Sequence, residues 1–390
     1  MVVRMCPFVG GVNGPQAVGQ PASLARVDLV WKTSEINIGD LGRHGDCAMP
    51  WDIGVFDHVD CSGAPLQAFY EDRLAVIEAY DRIGVRGYHV AEHHFTPLGM
   101  AASPGIFLSS VAQRTKRLRF GPMVYCLPLY HPLRLAEEIC MLDQLSGGRF
   151  ELGVGRGISP LESRGFGEDP DYEASQKTFI ESLDILRKAL AGGAFSHEGE
   201  RRRVDNVAMV LESIQKPHPP MWMGVHSHEN VEFAAHQGIN IISLHAAPSI
   251  RDKFDHYRNI WRELYGADAP AGKIGLGLFV VVAETDAAAQ EVAARAYKVW
   301  HKNFHYLYHL HGRSPVWGER PNQFQFVVDE LRGIAGSPAT VRAFIDARMA
   351  EAGADYMVGQ FVFGDMSRQE ALNSIELFGR NVMPFLNVSR

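Results

Sequence analysis

No apolar run in this chain approaches the roughly 18 to 20 residues needed to span a bilayer, so no segment is a candidate membrane-spanning helix. A basic stripe is also missing: 38 Lys and Arg stand against 45 Asp and Glu, the signs are interspersed, and the formal net charge is −7. That balance makes nucleic acid or an anionic membrane a poor partner and points to a small-molecule substrate. Cysteine is scarce, and Cys6, Cys47, Cys61, Cys126 and Cys140 form no short-spaced pair. Neither a zinc site nor a disulfide framework is suggested, and reduced thiols in a cytoplasm fit this usage. A dinucleotide fingerprint is absent too. The nearest approach, Gly153-Val154-Gly155-Arg156-Gly157, has Ile158 at the third glycine position and Pro160 where the helix of that motif should open. A dinucleotide site of that type is therefore not expected on this chain.

What is present is an ordinary globular composition, 46% hydrophobic and 21% charged over 390 residues, enough for a barrel-sized domain with additions. Residues 1–50 differ from the rest. Gly10-Gly11-Val12-Asn13-Gly14-Pro15 and Gly19-Gln20-Pro21 are turn signals, and the sparse apolar residues after them keep no period. The expectation is a mostly disordered extension. A secretory signal competes, since Arg4 precedes a few apolar residues, but proline and glycine break any continuous apolar segment. Met49 stands just before the first strand, so an over-long assigned start is a further reading of this segment.

From Trp51 on, strand and helix signals alternate. Ile53 to Phe56 is a short apolar strand, and Phe69, Tyr70, Leu74, Ile77 and Tyr80 then recur at helical spacing until Gly84. Gly87 to Ala91 is a second strand that runs into Glu92-His93-His94-Phe95. Ser103-Pro104 opens a helix as cap and first turn, and Leu118 to Val124 is a third strand. His131-Pro132 starts a helix with Leu135, Ile139 and Leu142 on one face. Gly147-Gly148 can stop it, and Arg149 to Gly155 reads as a buried strand ending in Gly155-Arg156-Gly157. Residues 158–220 interrupt the alternation with a loop, a helix near Ala174 to Leu190, and a polar stretch around Arg201-Arg202-Arg203 carrying short edge strands. Strands resume at Met221 to Val225, Asn240 to Leu244, Gly275 to Ala283 and Asp355 to Gln360. Helices follow from Ser227, from about Ile250, from Asp286, from Ser337-Pro338 and from Ser367. Eight strands, each followed by helix, describe an α/β (β/α)8 TIM barrel with an insertion after strand four. Such a barrel gathers its chemistry at the C-terminal strand ends, where Glu92, His93, Met123, Arg156 and His226 would converge.

Each candidate has a bland alternative at this level. Arg156 in its glycine-rich turn can place a fixed cation beside a phosphate, or it can be an ordinary ion-pair arginine. Glu92-His93-His94 could satisfy loop backbone groups or serve catalysis. A mononuclear metal site is disfavoured, because neighbouring strand residues point to opposite faces.

Taken together, several blocks resemble the bacterial luciferase-like flavin monooxygenase family. They are Glu92-His93-His94-Phe95-Thr96, His131-Pro132, Leu142 to Phe150 continuing through Arg156-Gly157, Arg164-Gly165-Phe166-Gly167, Gly336-Ser337-Pro338, and Val382 to Leu386. The resemblance covers residues 51 to 387 and leaves residues 1–50 outside. It implies a barrel that binds reduced FMN at its mouth, reacts it with oxygen, and oxygenates a small organic substrate. It puts the catalytic histidine on His93 and the phosphate-binding arginine on Arg156. The phosphate-binding turn falls on His226 to Asn230, including Ser227 and Asn230, where a helix N-terminus is independently suited to an anion. It also implies cofactor contacts from Glu92 and from a non-prolyl cis peptide at Met123-Val124. Between Gly312 and Arg332, Ser314-Pro315, Gly318 and Pro321 break a long helix where the family carries a loop that closes as a lid. A homodimer follows from the same resemblance, and since no nicotinamide-binding fingerprint accompanies the implied flavin, a separate flavin reductase is the expected partner. Two departures, His226 in place of glutamate and Gly155 in place of cysteine, argue against light emission. A reduced deazaflavin remains an alternative cofactor, and a non-catalytic flavin-binding barrel an alternative function. Phe95, Cys126, Leu127 and Trp317 suggest an apolar substrate pocket that fits an aldehyde, ketone, terpene or alkane.

Overall fold

A computed structural model describes residues 51–386, apart from Ile158, Val316 and Trp317; the expected N-terminal extension and the pocket position Trp317 lie outside the described residues. The elements run β1 (Asp52–Asp57), α1 (Leu66–Ile83), β2 (Gly87–Val90), α2 (Pro104–Arg114), β3 (Arg119–Pro122), β4 (Tyr125–Cys126), α3 (Pro132–Ser146) and β5 (Leu152–Gly155). Then come α4 (Pro160–Gly165), α5 (Tyr172–Ala191), β6 (Ala194–Glu198), β7 (Arg203–Ala208), β8 (Met221–Gly224), α6 (His228–His236), β9 (Asn240–Ser243) and α7 (Ala247–Tyr265). The chain continues through β10 (Ile274–Val282), α8 (Asp286–Leu310), α9 (Phe324–Asp329), β11 (Gly333–Gly336), α10 (Pro338–Ala352), β12 (Tyr356–Gln360) and α11 (Arg368–Leu377).

The main sheet is parallel, in the order β3-β2-β1-β12-β10-β9-β8-β5-β4. β3 and β4 are one stave broken at Met123-Val124: the first half pairs with β2 and the second with β5. A parallel bridge between Phe120 and Phe150 joins the two edges, so eight staves close into a barrel as the sequence pattern implies. Closure needs the backbones of β3 and β5 to approach closely. Gly121 and Gly153 allow it, since a Cβ on either would strike the carbonyl of Glu151 or Pro122 respectively.

Side chains alternate across the staves. Phe56, Ala91, Trp222, Ile242, Tyr356 and Val358 form one buried cluster, whereas Ile53, Val55, Tyr88, Phe120 and Val154 belong to a second, larger cluster that includes residues of the surrounding helices. Helix ends follow their local signals. Pro132 opens α3, and Gly147, at φ 68°, closes it by donating to the carbonyls of Asp143 and Gln144. Ser367 and Glu370 form a reciprocal capping box on α11.

The insertion after the fourth stave holds α4, α5 and the antiparallel β6–β7 hairpin. One expectation is corrected here. The stretch after Gly157, read as loop, contains α4, because the Ser159 hydroxyl accepts from the Glu162 N–H and Pro160 fits the first helical turn. Another addition is β11, which pairs in parallel with the C-terminal half of β10 outside the eight-stave path. The break after α8 is present, with the short α9 following it.

Candidate active site at the C-terminal end of the barrel

β2 ends at Val90, and the chain turns out of the barrel through Glu92-His93-His94. α4 meets this turn from the insertion. Its Glu162 carboxylate lies 3.2 Å from His93 Nδ1 through Oε1 and accepts the His94 backbone N–H at 2.8 Å through Oε2. With Nδ1 donating to the carboxylate, His93 keeps Nε2 to exchange a proton with a reacting group. The His93 side chain is 19% exposed, accessible without being loose.

Glu92 has a different environment. Its buried carboxylate faces His94 Nε2 at 2.8 Å and accepts from the Cys126 N–H at 3.2 Å and the Tyr130 hydroxyl at 2.9 Å. Three donors leave it a brace between the β2 turn and the segment after β4. The two histidine rings therefore go to different carboxylates. Burial, reinforced by Glu92 and Glu162, pushes the Cys126 thiol well above its usual range, so it is not an available nucleophile.

A second histidine, His58, leaves the end of β1 and stacks on His93, with ring centroids 5.7 Å apart and planes 19° from parallel. Its Nδ1 lies 3.4 Å from Trp300 Nε1 and 3.2 Å from Gln360 Nε2. An indole N–H can only donate, so Nδ1 is the acceptor and the proton sits on Nε2. Burial, with smaller contributions from His93 and Arg73, lowers its pKa well below the ordinary histidine value. His58 is a neutral ring beside His93, not a second switch.

Arg156 follows β5. Its guanidinium lies 4.3 Å from the ring centroid of Tyr172, and among the described residues no carboxylate pairs with it. Gly155, just before it, has no Cβ because Val124 fills that space. The peptide between Met123 and Val124 is cis. Ser227 caps α6, its hydroxyl accepting the Asn230 N–H at 3.3 Å. The His228 and Glu229 N–H groups and the Ser227 hydroxyl proton stay available to an anion. Met123, Arg156, Ser227 and Asn230 thus follow staves at the same barrel end, although no hydrogen bond joins Arg156 to Ser227 or Asn230 among the described residues. His226 pairs with His245 at 3.2 Å.

A cavity of about 410 Å³ opens beside the His93–Glu162 pair, lined by Phe95, Leu161, Arg164, Gly165, Leu307, His311 and Arg313. Of the four expected pocket residues, Phe95 lines it, while Cys126 and Leu127 are buried elsewhere. Two site residues were not anticipated. Glu162 could have been found through Ser159-Pro160-Leu161-Glu162, a helix-start pattern with its acid at the third position. His58 could have been found as a titratable residue just past the C-terminal end of the first strand.

A sequence model of luciferase-like monooxygenases matches residues 51–356. The chain belongs to that family. This luciferase-like monooxygenase is 42% identical over 320 residues to "Uncharacterized protein y4wF" of Sinorhizobium fredii (strain NBRC 101917 / NGR234), covering 82% of this chain and 93% of that one. It is 26% identical over 238 residues to the oxygenase component of the flavin-dependent trigonelline monooxygenase of Acinetobacter baylyi (strain ATCC 33305 / BD413 / ADP1), covering 60% and 65%. Among solved structures, the monooxygenase RslO1 from Streptomyces bottropensis superposes with TM-score 0.74 at 23% identity, over 85% of this chain and 99% of that one. The oxygenating constituent of 3,6-diketocamphane monooxygenase from Pseudomonas putida, solved with FMN, gives 0.70 at 20%, over 88% and 100%. The coenzyme F420-dependent tetrahydromethanopterin reductase of Methanopyrus kandleri gives 0.63 at 17%, over 86% and 99%. At these identities the luciferase-like monooxygenase shares the fold of all three.

Proposed function

We propose that this chain is the oxygenase component of a two-component monooxygenase, using reduced FMN and O2 to oxygenate a small, largely apolar organic substrate. The observation that carries the reading is a histidine backed by a carboxylate, His93 with Glu162 at 3.2 Å, at the same barrel end as a cation with no acidic partner among the described residues, Arg156.

Those residues suit a flavin phosphate. Arg156 would supply the charge, and the Ser227 hydroxyl, the free N–H groups at the start of α6 and the Asn230 side chain the hydrogen bonds. Met123 and Val124 would face the ring system, with Glu92 bracing the segment behind them. When bound, reduced flavin supplies the two electrons that activate O2. The protein's share is to hold the reactants, to exclude water, and to hold or release a proton at His93 Nε2. His58, neutral and stacked on it, adds no repelling charge when His93 is protonated.

A separate flavin reductase would deliver the cofactor, as the description "oxygenase component" implies for the trigonelline relative. The family resemblance supports a homodimer. A cytoplasmic setting fits three free cysteines, Cys61, Cys126 and Cys140, among the described residues, none of whose helices is long and apolar enough to cross a membrane. The second reading is a deazaflavin-dependent oxidoreductase, favoured by the likeness to the F420-dependent reductase. Spectral titration of the purified chain with FMN and with F420, each oxidised and reduced, separates the two. Oxygen uptake with reduced FMN supplied by an added reductase should then rise with substrate. Binding of F420 alone, with no oxygen uptake on reduced FMN, overturns the proposal.

A further inference from the structure

The cavity beside the His93–Glu162 pair has a composition that an apolar substrate alone does not explain. One wall is Phe95, Leu161 and Leu307; the remaining side chains that line it are Arg164, His311 and Arg313. No acid lines it. Among the described residues the side chains of Arg164, His311 and Arg313 make no ion pair or hydrogen bond, while the closest acid in sequence, Glu162, is committed to His93 and His94. A chain of net charge −7 thus keeps three basic groups together with no counter-charge among the described residues.

The apolar wall is built, not incidental. Phe95 follows the histidine pair, takes a left-handed φ of 59° and remains 56% exposed. Its ring packs 5.1 Å from Phe166 and occupies the space a Cβ on Gly165 would need. With Phe166 itself 48% exposed, the two rings leave an open aromatic surface at this edge of the cavity. Leu161 and Leu307 are buried, at 7% and 5%, and pack with Tyr308 in one small cluster.

We infer that this cavity takes an amphipathic organic anion, with its carboxylate or similar acidic group at Arg164, His311 and Arg313 and its hydrocarbon part against Phe95, Leu161 and Leu307. The inference rests on reading this barrel end as an oxygenase site, and it narrows the substrate from apolar to apolar with one acidic end. Guanidinium groups suit the task because they accept a carboxylate through paired N–H donors. The arginines are exposed, so each contact is worth a few-fold in affinity and the selectivity comes from the set.

Calorimetric titration of the full chain without flavin tests this, using octanoate against octan-1-ol, 4-phenylbutanoate against 4-phenylbutan-1-ol, and acetate as the charge without the chain. At low salt at least one of the two longer acids should bind roughly 10-fold more tightly than its alcohol and than acetate, and added salt should erode the preference. Arg164→Gln with Arg313→Gln should abolish it. Arg134→Gln, at an exposed position on α3, should leave it intact, with melting temperatures confirming that all variants fold. Equal binding of acids and alcohols, no saturable binding of either acid up to about 10 mM, acetate matching the longer acids, or a double variant that keeps the preference each overturns the inference. Because flavin is absent, failure here leaves the flavin reading standing, and failure to bind any flavin with acid binding intact removes that reading alone.

Discussion

The two ends of the barrel treat charge in opposite ways. At the N-terminal end, the buried Glu151 carboxylate meets Arg119 at 2.6 Å, Arg86 at 3.1 Å and the Trp222 N–H at 2.7 Å, while Asp52 joins Arg86 to Lys273. Burial opposes ionisation of Glu151, but Arg86, His89 and Arg119 hold its carboxyl below the usual range. At the C-terminal end, Arg156 lies over an aromatic ring, and Arg164 and Arg313 border a cavity, none with a carboxylate partner among the described residues. The carboxylate at the closed end is held by two arginines and an indole N–H, a set that serves the fold, whereas the arginines at the mouth are the ones the proposed ligands would use.

Four expectations probe that division. The largest lies at the open end: His93→Ala should lower turnover at saturating reduced FMN by roughly 100- to 10,000-fold, with flavin affinity and melting temperature little changed. Near-normal turnover together with a lowered melting temperature would make His93 a structural loop residue. Next comes the closed end. Glu151→Gln leaves Arg119 without a carboxylate and Arg86 with Asp52 alone, and should cost about 3 kcal/mol in denaturant unfolding. If stability were unchanged and flavin affinity fell instead, the division would be wrong.

His89, inside the barrel beside Tyr356, gives a pH signature of the closed end. Burial lowers its pKa to about 4, with Glu151 partly opposing and Arg86 assisting. Between about pH 6.5 and 4 the unfolded chain binds a proton that the folded chain does not, so stability falls as pH falls, by on the order of 3 kcal/mol at pH 4. His89→Gln should flatten this part of the stability profile, and an unchanged slope would reject the assignment. The smallest effect belongs to Arg156→Ala, which should weaken reduced FMN roughly 10- to 150-fold in equilibrium titration. Unaltered binding there would reassign the phosphate to another group at the mouth.

Much of this was legible in the residues themselves. Strand and helix periods, with punctuation such as Pro132 and Gly147, reveal eight strand–helix units, because periodicity and caps are local properties of the chain. The turns carrying His93 and Arg156 could be read because each follows directly from its strand. Glu162 was not legible as a partner of His93: 69 positions separate them, and α4 opens on a proline that also reads as a break. His58 was hidden for a related reason, since its tautomer depends on Trp300 and Gln360, more than 240 positions away.

The sequence by itself thus determined the staves, the order of the helices and the end of the barrel at which the candidate residues emerge. The tertiary structure alone decided which carboxylate stands behind which histidine, and which arginines remain without one. Those pairings depend on barrel closure bringing distant segments within hydrogen-bond range, and no local period or cap encodes that distance.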